Sequence, residues 1–306
     1  MSHRRPRPTS VLLPALALLV LPASSCSKDA DVRPDPGGTG MAGSAGGKPA
    51  PTSCRQDRPG PPMVLVPKPG GAFCIDSRET SRGEYAAFLN AVGELPTTSD
   101  AACKANLSYF PTRTERKPPL PDAGPPSPDC YDNIWAREPQ APQATLSCVD
   151  WCDARDFCAW AGKRLCSAAP EGTTREQAGM AGEWNLACSN GGKTTFPYGD
   201  KYEPGRCWDK VASKGEAGTT PYVSGNISEC VGEAAPYDEL FDMSGGLWEW
   251  TSEPHGTGFV MLGGAFNDVA SSGDPTGGAL GCWKGLPQSD LNHAGPAQGI
   301  RCCADD

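Results

Sequence analysis

Cysteine is the residue that most restricts how this chain can fold. Of its 15 cysteines, all but Cys26 lie between Cys54 and Cys303, and this set is even in number. In an exported protein, such a set indicates a framework of disulfides, each typically contributing ~2–4 kcal/mol. Only Cys302-Cys303 and Cys148–Cys152 are close in sequence, and neither has a matching second pair, so zinc is not expected.

The N-terminus predicts export. Arg4, Arg5 and Arg7 precede an uncharged apolar run from Val11 to Leu21. A helix of this length would rise ~16 Å, about half the hydrocarbon thickness of a bilayer. That length is typical of a signal peptide and too short for a permanent span, and no other segment approaches membrane-spanning length.

The end of the apolar run resembles a bacterial lipobox, because Ala23-Ser24-Ser25 stand directly before Cys26. In a lipoprotein, residues 1–25 would be removed and Cys26 lipidated; the alternative is an ordinary secretory signal cleaved after Ser25. Residues 26–62 are rich in Pro, Gly, Ala, Ser and Asp, which predicts a flexible spacer. We therefore expect a domain at 63–306, lipid-anchored in the cell envelope, on the periplasmic or outer-membrane surface.

The charge of the chain disfavours one class of ligand. The formal net charge is −9 at pH 7, and removal of the arginines of the signal makes the mature chain more acidic. Because no cluster of Lys and Arg balances this charge, nucleic acid and anionic lipid are not expected partners. Contact with the membrane is expected through the lipid anchor only. Cations and neutral ligands are compatible with the charge.

Local patterns predict two helices. Ser81 and Glu84 can form a capping box in front of apolar residues that recur at helical spacing over Tyr85–Val92. Asp150 can cap a second helix, whose apolar stripe extends over Trp151–Ala161.

The rest of the domain is predicted to consist of short strands and turns. The strand candidates are Met63–Val66, Phe73–Ile75, Phe259–Phe266, which Gly263-Gly264 interrupt, and Gly299–Cys303. Between Lys104 and Asp129 there are seven prolines and no periodicity, which indicates a surface loop. We expect a disulfide between Cys103 and Cys130 to close the ends of this loop.

Six stretches of the predicted domain contain distinctive motifs: Cys74–Thr80, Val149–Leu165, Glu183–Asp200, Phe241–Thr251, Leu262–Phe266 and Gly299–Cys302. As an ordered set they resemble the formylglycine-generating enzyme, or sulfatase-modifying factor, family. The matched positions include Arg164, Trp184, Trp248, Trp250, Gly263, Gly264 and Arg301. The resemblance implies an α+β fold, a variation on the C-type lectin with little regular secondary structure. We expect both indoles of Trp248-Glu249-Trp250 to serve the core.

The resemblance also implies where catalytic residues would stand. Enzymes of this family oxidise a substrate cysteine to formylglycine with oxygen, copper(I) and a pair of cysteines. Asp268 and Gly273 occupy the two corresponding positions in this chain. Neither a carboxylate nor glycine replaces a soft thiolate as a ligand of copper(I), so copper is not an expected cofactor.

Two further features of the family concern disulfides and calcium. The family's structural disulfides imply Cys158–Cys302 and Cys188–Cys282. Its calcium-binding turn corresponds to Leu247 and Glu249, but Gly246 replaces an asparagine that supplies a side-chain oxygen. Calcium requires six to eight oxygen ligands. Weak binding of a structural calcium and loss of the site are therefore both open.

Two functions are compatible with these features. The first is a non-catalytic binding or structural module for an extracytoplasmic protein or glycan, with Trp135, Trp208 and Trp283 as candidates for its recognition face. The second is a formylglycine-generating oxidase with rearranged cysteines, acting on exported proteins. A free thiol would distinguish them, since only the oxidase requires a thiolate. The mature chain contains only His255 and His293, too few for a three-histidine iron site.

Overall fold

The computed structural model describes residues 50–96, 98, 100–111, 130, 141–170, 172–173, 175–180, 182–214, 222–270, 273–274 and 276–306. The expected signal peptide, Cys26, most of the Pro-rich loop and Trp135 lie outside these residues. Lys48–Asp306 form one compact unit. Within the described residues, no helix combines the length and apolar character needed to cross a membrane.

Both predicted helices are present with their caps. Helix α1 spans Arg82–Val92, and Ser81 and Glu84 exchange the two hydrogen bonds of a capping box. Helix α2 spans Trp151–Trp160, where Asp150 and Asp153 form the same arrangement. A third helix, α3, spans Glu183–Cys188. Short 3₁₀ turns occur at Ala101–Cys103, Arg175–Met180, Tyr237–Glu239 and Gly278–Leu280.

In the described part of the chain, eight short strands form two four-stranded sheets. They are β1 Met63–Lys68, β2 Gly71–Asp76, β3 Arg164–Leu165, β4 Trp248–His255, β5 Gly258–Leu262, β6 Leu286–Gln288, β7 Gln298–Gly299 and β8 Cys302–Ala304. The first sheet has the order β1-β2-β8-β3 and is antiparallel. The second has the order β6-β5-β4-β7, in which only the β4–β7 pair is parallel.

The C-terminal segment joins the two sheets. The single strand predicted at Gly299–Cys303 is in fact β7 of one sheet and β8 of the other, with Ile300 and Arg301 between them. The strand predicted at Phe259–Phe266 ends at Leu262, because Gly263 and Gly264 adopt φ of 102° and 70°, outside the range of an extended chain.

Two apolar clusters form most of the core. The first packs α1 and α2 together through aromatic side chains, with Phe88 in edge contact with Phe157 at 5.9 Å between ring centres. The second lies around Trp184 of α3 and includes Phe73 and Ile75 of β2. Trp250 is fully buried in the first cluster, as expected from its motif.

Seven disulfides join all the cysteines from Cys54 to Cys303. They are Cys54–Cys74, Cys103–Cys152, Cys130–Cys148, Cys158–Cys302, Cys166–Cys303, Cys188–Cys282 and Cys207–Cys230. Both pairings implied by the family resemblance, Cys158–Cys302 and Cys188–Cys282, are among them. The adjacent residues Cys302 and Cys303 attach β8 to α2 and to the segment after β3.

The expected Cys103–Cys130 bridge is wrong. Cys103 bonds to Cys152 of α2, and Cys130 bonds to Cys148 just before that helix. The segment after Cys103 lies along α2, where Asn106 donates a hydrogen bond to the buried carboxylate of Asp153 at 2.8 Å. These contacts bring Cys103 to the first turn of α2, where Cys152 lies. The partner of Cys103 is therefore determined by this packing and not by proximity along the sequence.

The folded unit also begins before the predicted boundary at residue 63. Cys54 is bonded to Cys74 of β2, and the Gln56 side chain exchanges two hydrogen bonds with the backbone of Met63. Lys163 Nζ donates to the carbonyl of Pro61 at 3.0 Å. The composition of residues 26–62 predicted a spacer throughout, but the disulfide and these polar contacts fix residues 54–62 on the domain.

Candidate functional site

The position of the family's first catalytic cysteine lies in a turn after β5. Asp268 Oδ2 accepts a hydrogen bond from the Ala265 backbone N–H at 2.9 Å, so its carboxylate closes the turn that starts there. Burial raises the pKa of Asp268, while hydrogen bonds from the Ala265 backbone and the Trp248 side chain oppose that increase. The Asp268 side chain therefore makes a structural contact at the position where the resemblance places a copper-binding thiolate.

The second catalytic position is equally unsuited to metal binding. Gly273 has φ of 85°, and among the described residues beyond its chain neighbours no atom lies within 4 Å of where its Cβ would be. Cys282, the nearest cysteine downstream, is bonded to Cys188. In the described part of the chain every cysteine is in a disulfide, so none supplies the thiolate that copper(I) requires.

The calcium candidate Glu249 has protein partners on both oxygens. Arg301 Nε donates to Oε1 and Oε2 at 2.8 and 3.0 Å, and Trp184 Nε1 donates to Oε2 at 2.5 Å. A guanidinium this close would repel a divalent cation at the same carboxylate. The geometry therefore does not fit calcium at Glu249.

Arg301 is the centre of this buried polar cluster. Besides Glu249, its guanidinium donates to the carbonyls of Asp76 and Phe241, each at 2.8 Å. These contacts connect the end of β2, strand β4 and the loop before it to the residue that links the two sheets. Every guanidinium nitrogen thus has a partner, as a fully buried arginine requires.

Glu79 occupies the space that a side chain at position 246 would need. Its Oε1 accepts a hydrogen bond from the Leu247 N–H at 2.7 Å. A Cβ on Gly246 would lie 2.7 Å from the same Oε1, and Gly246 has φ of 68°. The residue that replaces the family's asparagine is therefore the one that makes room for the Glu79 carboxylate.

Three buried carboxylates face one guanidinium in this cluster. Burial and the negative charge of Glu249 raise the pKa of Glu79 well above its ordinary value. Burial also raises the pKa of Asp242, whose Oδ2 accepts from Gly225 N at 2.6 Å and Ser224 Oγ at 3.0 Å. Glu79 Oε2 and Asp242 Oδ1 have no hydrogen-bond partner of good geometry among the described residues.

The motifs predict Glu249 and Arg301 as site residues, whereas Glu79 and Asp242 were not predicted. The available signal was their location inside matched motifs, Cys74–Thr80 and Phe241–Thr251. Asp242 stands between two apolar residues, whereas Glu79 stands between Arg78 and Thr80, and both carboxylates are buried. A buried carboxylate needs donors or a proton. That requirement predicts polar partners for both residues but does not identify Arg301 as one of them.

The tryptophans proposed as a recognition face have separate locations. Trp283 is buried, at 4% exposure, and its Nε1 donates to the Thr194 carbonyl at 3.0 Å. The prediction that Trp283 belongs to a recognition face is therefore wrong. Trp208 is partly buried and stacks on Tyr222 with 5.3 Å between ring centres and 9° between planes. Of the three predicted tryptophans, Trp208 is the one that has accessible surface in the described part of the chain.

The other motif residues serve the framework. Arg164 forms ion pairs with Glu183 and Asp305, and Trp184 is fully buried against Glu249. Trp248 is buried at 8% exposure, and Gly263 and Gly264 form the turn after β5. Among the described residues, one group of metal-ligand type also occurs: Cys54, Cys74 and Asp306 have ligand atoms within 4.8 Å of one another. While its two sulfurs are bonded together, this group offers no thiolate for a metal ion.

The chain belongs to the FGE-sulfatase family, because the sulfatase-modifying factor enzyme 1-like domain matches residues 36–266. It is 24% identical to the formylglycine-generating enzyme of Bos taurus over 323 residues, which cover 84% of this chain and 78% of that protein. It is 32% identical to the inactive C-alpha-formylglycine-generating enzyme 2 of Bos taurus over 110 residues, or 35% of this chain and 32% of that protein.

Solved structures with a similar arrangement have low sequence identity. PvdO from Pseudomonas aeruginosa is 18% identical with a TM-score of 0.44, over 79% of this chain and 90% of that one. CarF is 15% identical with a TM-score of 0.44, over 77% and 87% of the two chains.

Proposed function

We propose that this protein is an exported, lipid-anchored member of the FGE-sulfatase family that has retained the scaffold and lost the oxidation. Its role would be that of a binding or structural module for an extracytoplasmic protein or glycan. The observation that carries this proposal is the state of the cysteines. Asp268 and Gly273 stand at the copper positions, and the described cysteines are all in disulfides.

The names of the relatives include both active and inactive enzymes, so they are compatible with the oxidase as well as with the non-catalytic module. The relative that covers most of the chain is named formylglycine-generating enzyme, whereas two shorter matches, from Bos taurus and Mus musculus, are named inactive. Since fold does not determine activity, the residues at the site take precedence over the names. Those residues favour the non-catalytic role.

The residues at the family positions also disfavour two cofactors, copper and calcium. The chain lacks the pair of cysteines that would bind copper(I) at the family positions. At Glu249, the guanidinium of Arg301 already pairs with the carboxylate that would attract a structural calcium ion. We therefore expect neither copper nor calcium bound at these residues. The acidic charge argues against nucleic acid, and the partly exposed Trp208–Tyr222 stack is the described surface on which we place ligand recognition.

A direct assay tests the loss of oxidation. The purified protein is incubated with copper(I), oxygen and a cysteine-containing peptide, and mass spectrometry measures formylglycine in the peptide. The formylglycine-generating enzyme of Thermomonospora curvata, a 26% identical relative, is the positive control. We expect no product above the protein-free background. Product formed at a rate that scales with protein concentration would establish the oxidase instead.

A gain-of-site variant sharpens this test. The double substitution Asp268→Cys/Gly273→Cys restores the family's two cysteines. It should bind one copper(I) per chain, while the wild-type protein and the single variant Gly273→Cys should not. Equal copper binding by the wild-type protein would contradict the proposal, because the copper site would then lie elsewhere.

A further inference from the structure

One of the seven disulfides differs from the others in its exposure. Cys54 is partly exposed to solvent, whereas the other cysteines joined in these bridges are buried. Thiol–disulfide exchange requires a thiolate to approach one sulfur of the bridge, so its rate depends on access. Cys54–Cys74 is therefore the most accessible of the seven bridges in the folded protein.

This bridge secures a short segment that we call the strap, Cys54–Pro62. Apart from the disulfide, the strap is attached mainly by polar contacts: Arg58 forms an ion pair with Asp306, and the Arg55 N–H donates to Asp306 at 2.7 Å. The Arg55 contact is exposed, and exposed polar contacts contribute little, typically ~0–1 kcal/mol each, whereas the side chains of Arg58 and Asp306 are only 14% and 5% exposed. At Cys54 and Arg55 the covalent bond is thus the main constraint, and the ion pair of Arg58 holds the middle of the strap.

The strap covers a buried ion pair. Lys163 Nζ lies 2.6 Å from Asp76 Oδ1, and both side chains are fully buried. The Pro61 carbonyl accepts from the same Nζ at 3.0 Å, and a Cβ at Gly60 would lie 3.2 Å from Nζ and 3.6 Å from the Phe157 ring. Movement of the strap would open this pair to water.

We propose that Cys54–Cys74 is a redox switch, which a dithiol reductant opens selectively to release the strap. A thiolate of the reductant attacks Cys54 Sγ, the S–S bond breaks, and Cys74 Sγ leaves as a thiolate that takes up a proton. The second thiol of the reductant then attacks the mixed disulfide. The reductant departs as a cyclic disulfide, and two electrons and two protons reside on Cys54 and Cys74.

Release of the strap has two structural consequences. It adds nine residues to the preceding spacer, up to about 30 Å of reach. It also leaves one acceptor of Lys163 free to exchange with water. The switch does not depend on the proposed loss of oxidation, because it involves no copper and no substrate peptide.

The test is graded reduction of the folded full-length protein with dithiothreitol, followed by rapid alkylation and peptide mapping. We expect the first two labelled residues to be Cys54 and Cys74, at a rate at least ten-fold above that of any other bridge. The matched control is Cys207–Cys230, which spans 23 residues against 20 but is buried on both sides. Equal rates for these two bridges, or earlier opening of any other, would overturn the selectivity.

Release of the strap has its own readout. Trypsin cleavage after Arg55 should be slow in the oxidised protein and at least ten-fold faster once Cys54 and Cys74 are alkylated. The double variant Cys54→Ser/Cys74→Ser should be cleaved at the fast rate without reductant. Unchanged cleavage in the alkylated wild-type protein would mean that the strap stays in place, and the switch would be refuted.

Discussion

At the scale of the residue, Gly246 connects backbone conformation with buried charge. Its φ of 68° suits glycine or asparagine. However, a Cβ at this position would lie 2.7 Å from Glu79 Oε1, so the space that the Glu79 carboxylate needs is available only with glycine. Restoring the family's asparagine therefore requires this carboxylate to move. The cost of displacing the carboxylate can be separated from the cost of backbone strain by the same substitution at a glycine of similar φ that has open space around it.

Gly246→Asn should destabilise the protein by about 2 kcal/mol, the typical cost of an overpacked core position. Gly256→Asn is the matched control, because Gly256 has φ of 57° and nothing within 4 Å of its Cβ position. Denaturant unfolding with intact disulfides measures both. An equal loss in the two variants would mean that backbone conformation alone, and not Glu79, excludes asparagine.

Glu79 should make stability depend on pH. Its pKa is raised in the folded state, so its contribution is complete below the ordinary pKa of glutamate. It falls as pH rises above that value and is lost once pH passes the folded-state pKa. Glu79→Gln should therefore gain stability relative to wild type as pH rises, with Glu239→Gln, an exposed site, as the control. A constant difference between Glu79→Gln and wild type across pH would contradict the raised pKa.

At the scale of the element, local sequence signals were sufficient for α1 and α2. Each helix has a reciprocal cap and an apolar stripe, both set by residues within a few positions of one another. The strands were less predictable, because β7 and β8 are very short and their pairing depends on partners far away in sequence. No local pattern indicates that Ile300 and Arg301 separate two sheets.

Arg301 holds these elements together, so its loss should be costly. Arg301→Met leaves the carboxylate of Glu249 buried without its cation, and we expect a loss of about 3–5 kcal/mol. The double variant Arg301→Met/Glu249→Leu should recover part of that loss, since it removes the unpaired charge. Arg175→Met, which breaks a largely exposed pair with Asp200, should cost less than about 1 kcal/mol. Unfolding in urea compares these variants with the single variant Glu249→Leu, and a loss in the double variant equal to the sum of the two single losses would refute the coupling.

At the scale of the whole molecule, the ordered motifs predicted the family and two long-range disulfides, Cys158–Cys302 and Cys188–Cys282. The other pairings depend on how loops cross the domain, and the cysteines alone allow many connectivities. Cys103 pairs with α2 because its loop follows that helix, and Cys54 joins the fold because β2 passes beside it. Such contacts are properties of the assembled chain and are not encoded in any short window.

Calcium tests whether the buried cluster is complete without a metal. Because the Arg301 guanidinium neutralises Glu249, millimolar calcium or a chelator should leave Tm unchanged. Differential scanning calorimetry at constant ionic strength measures this, with magnesium as the control for general salt effects. A rise in Tm with calcium but not with magnesium would indicate a specific site in the folded protein.

The proposed anchor determines where the domain acts, and Cys26 alone should carry it. Expression of the wild-type chain in a bacterial host should yield a protein with a diacylglyceryl mass increment on Cys26, which partitions into detergent. Cys26→Ser should lack the increment and remain in the aqueous phase, whereas Ser27→Ala should behave as wild type. Because the two variants are adjacent, a general effect on export would alter both. An unmodified mature protein beginning at Cys26 would instead identify an ordinary secretory signal, and the domain would then be released from the membrane.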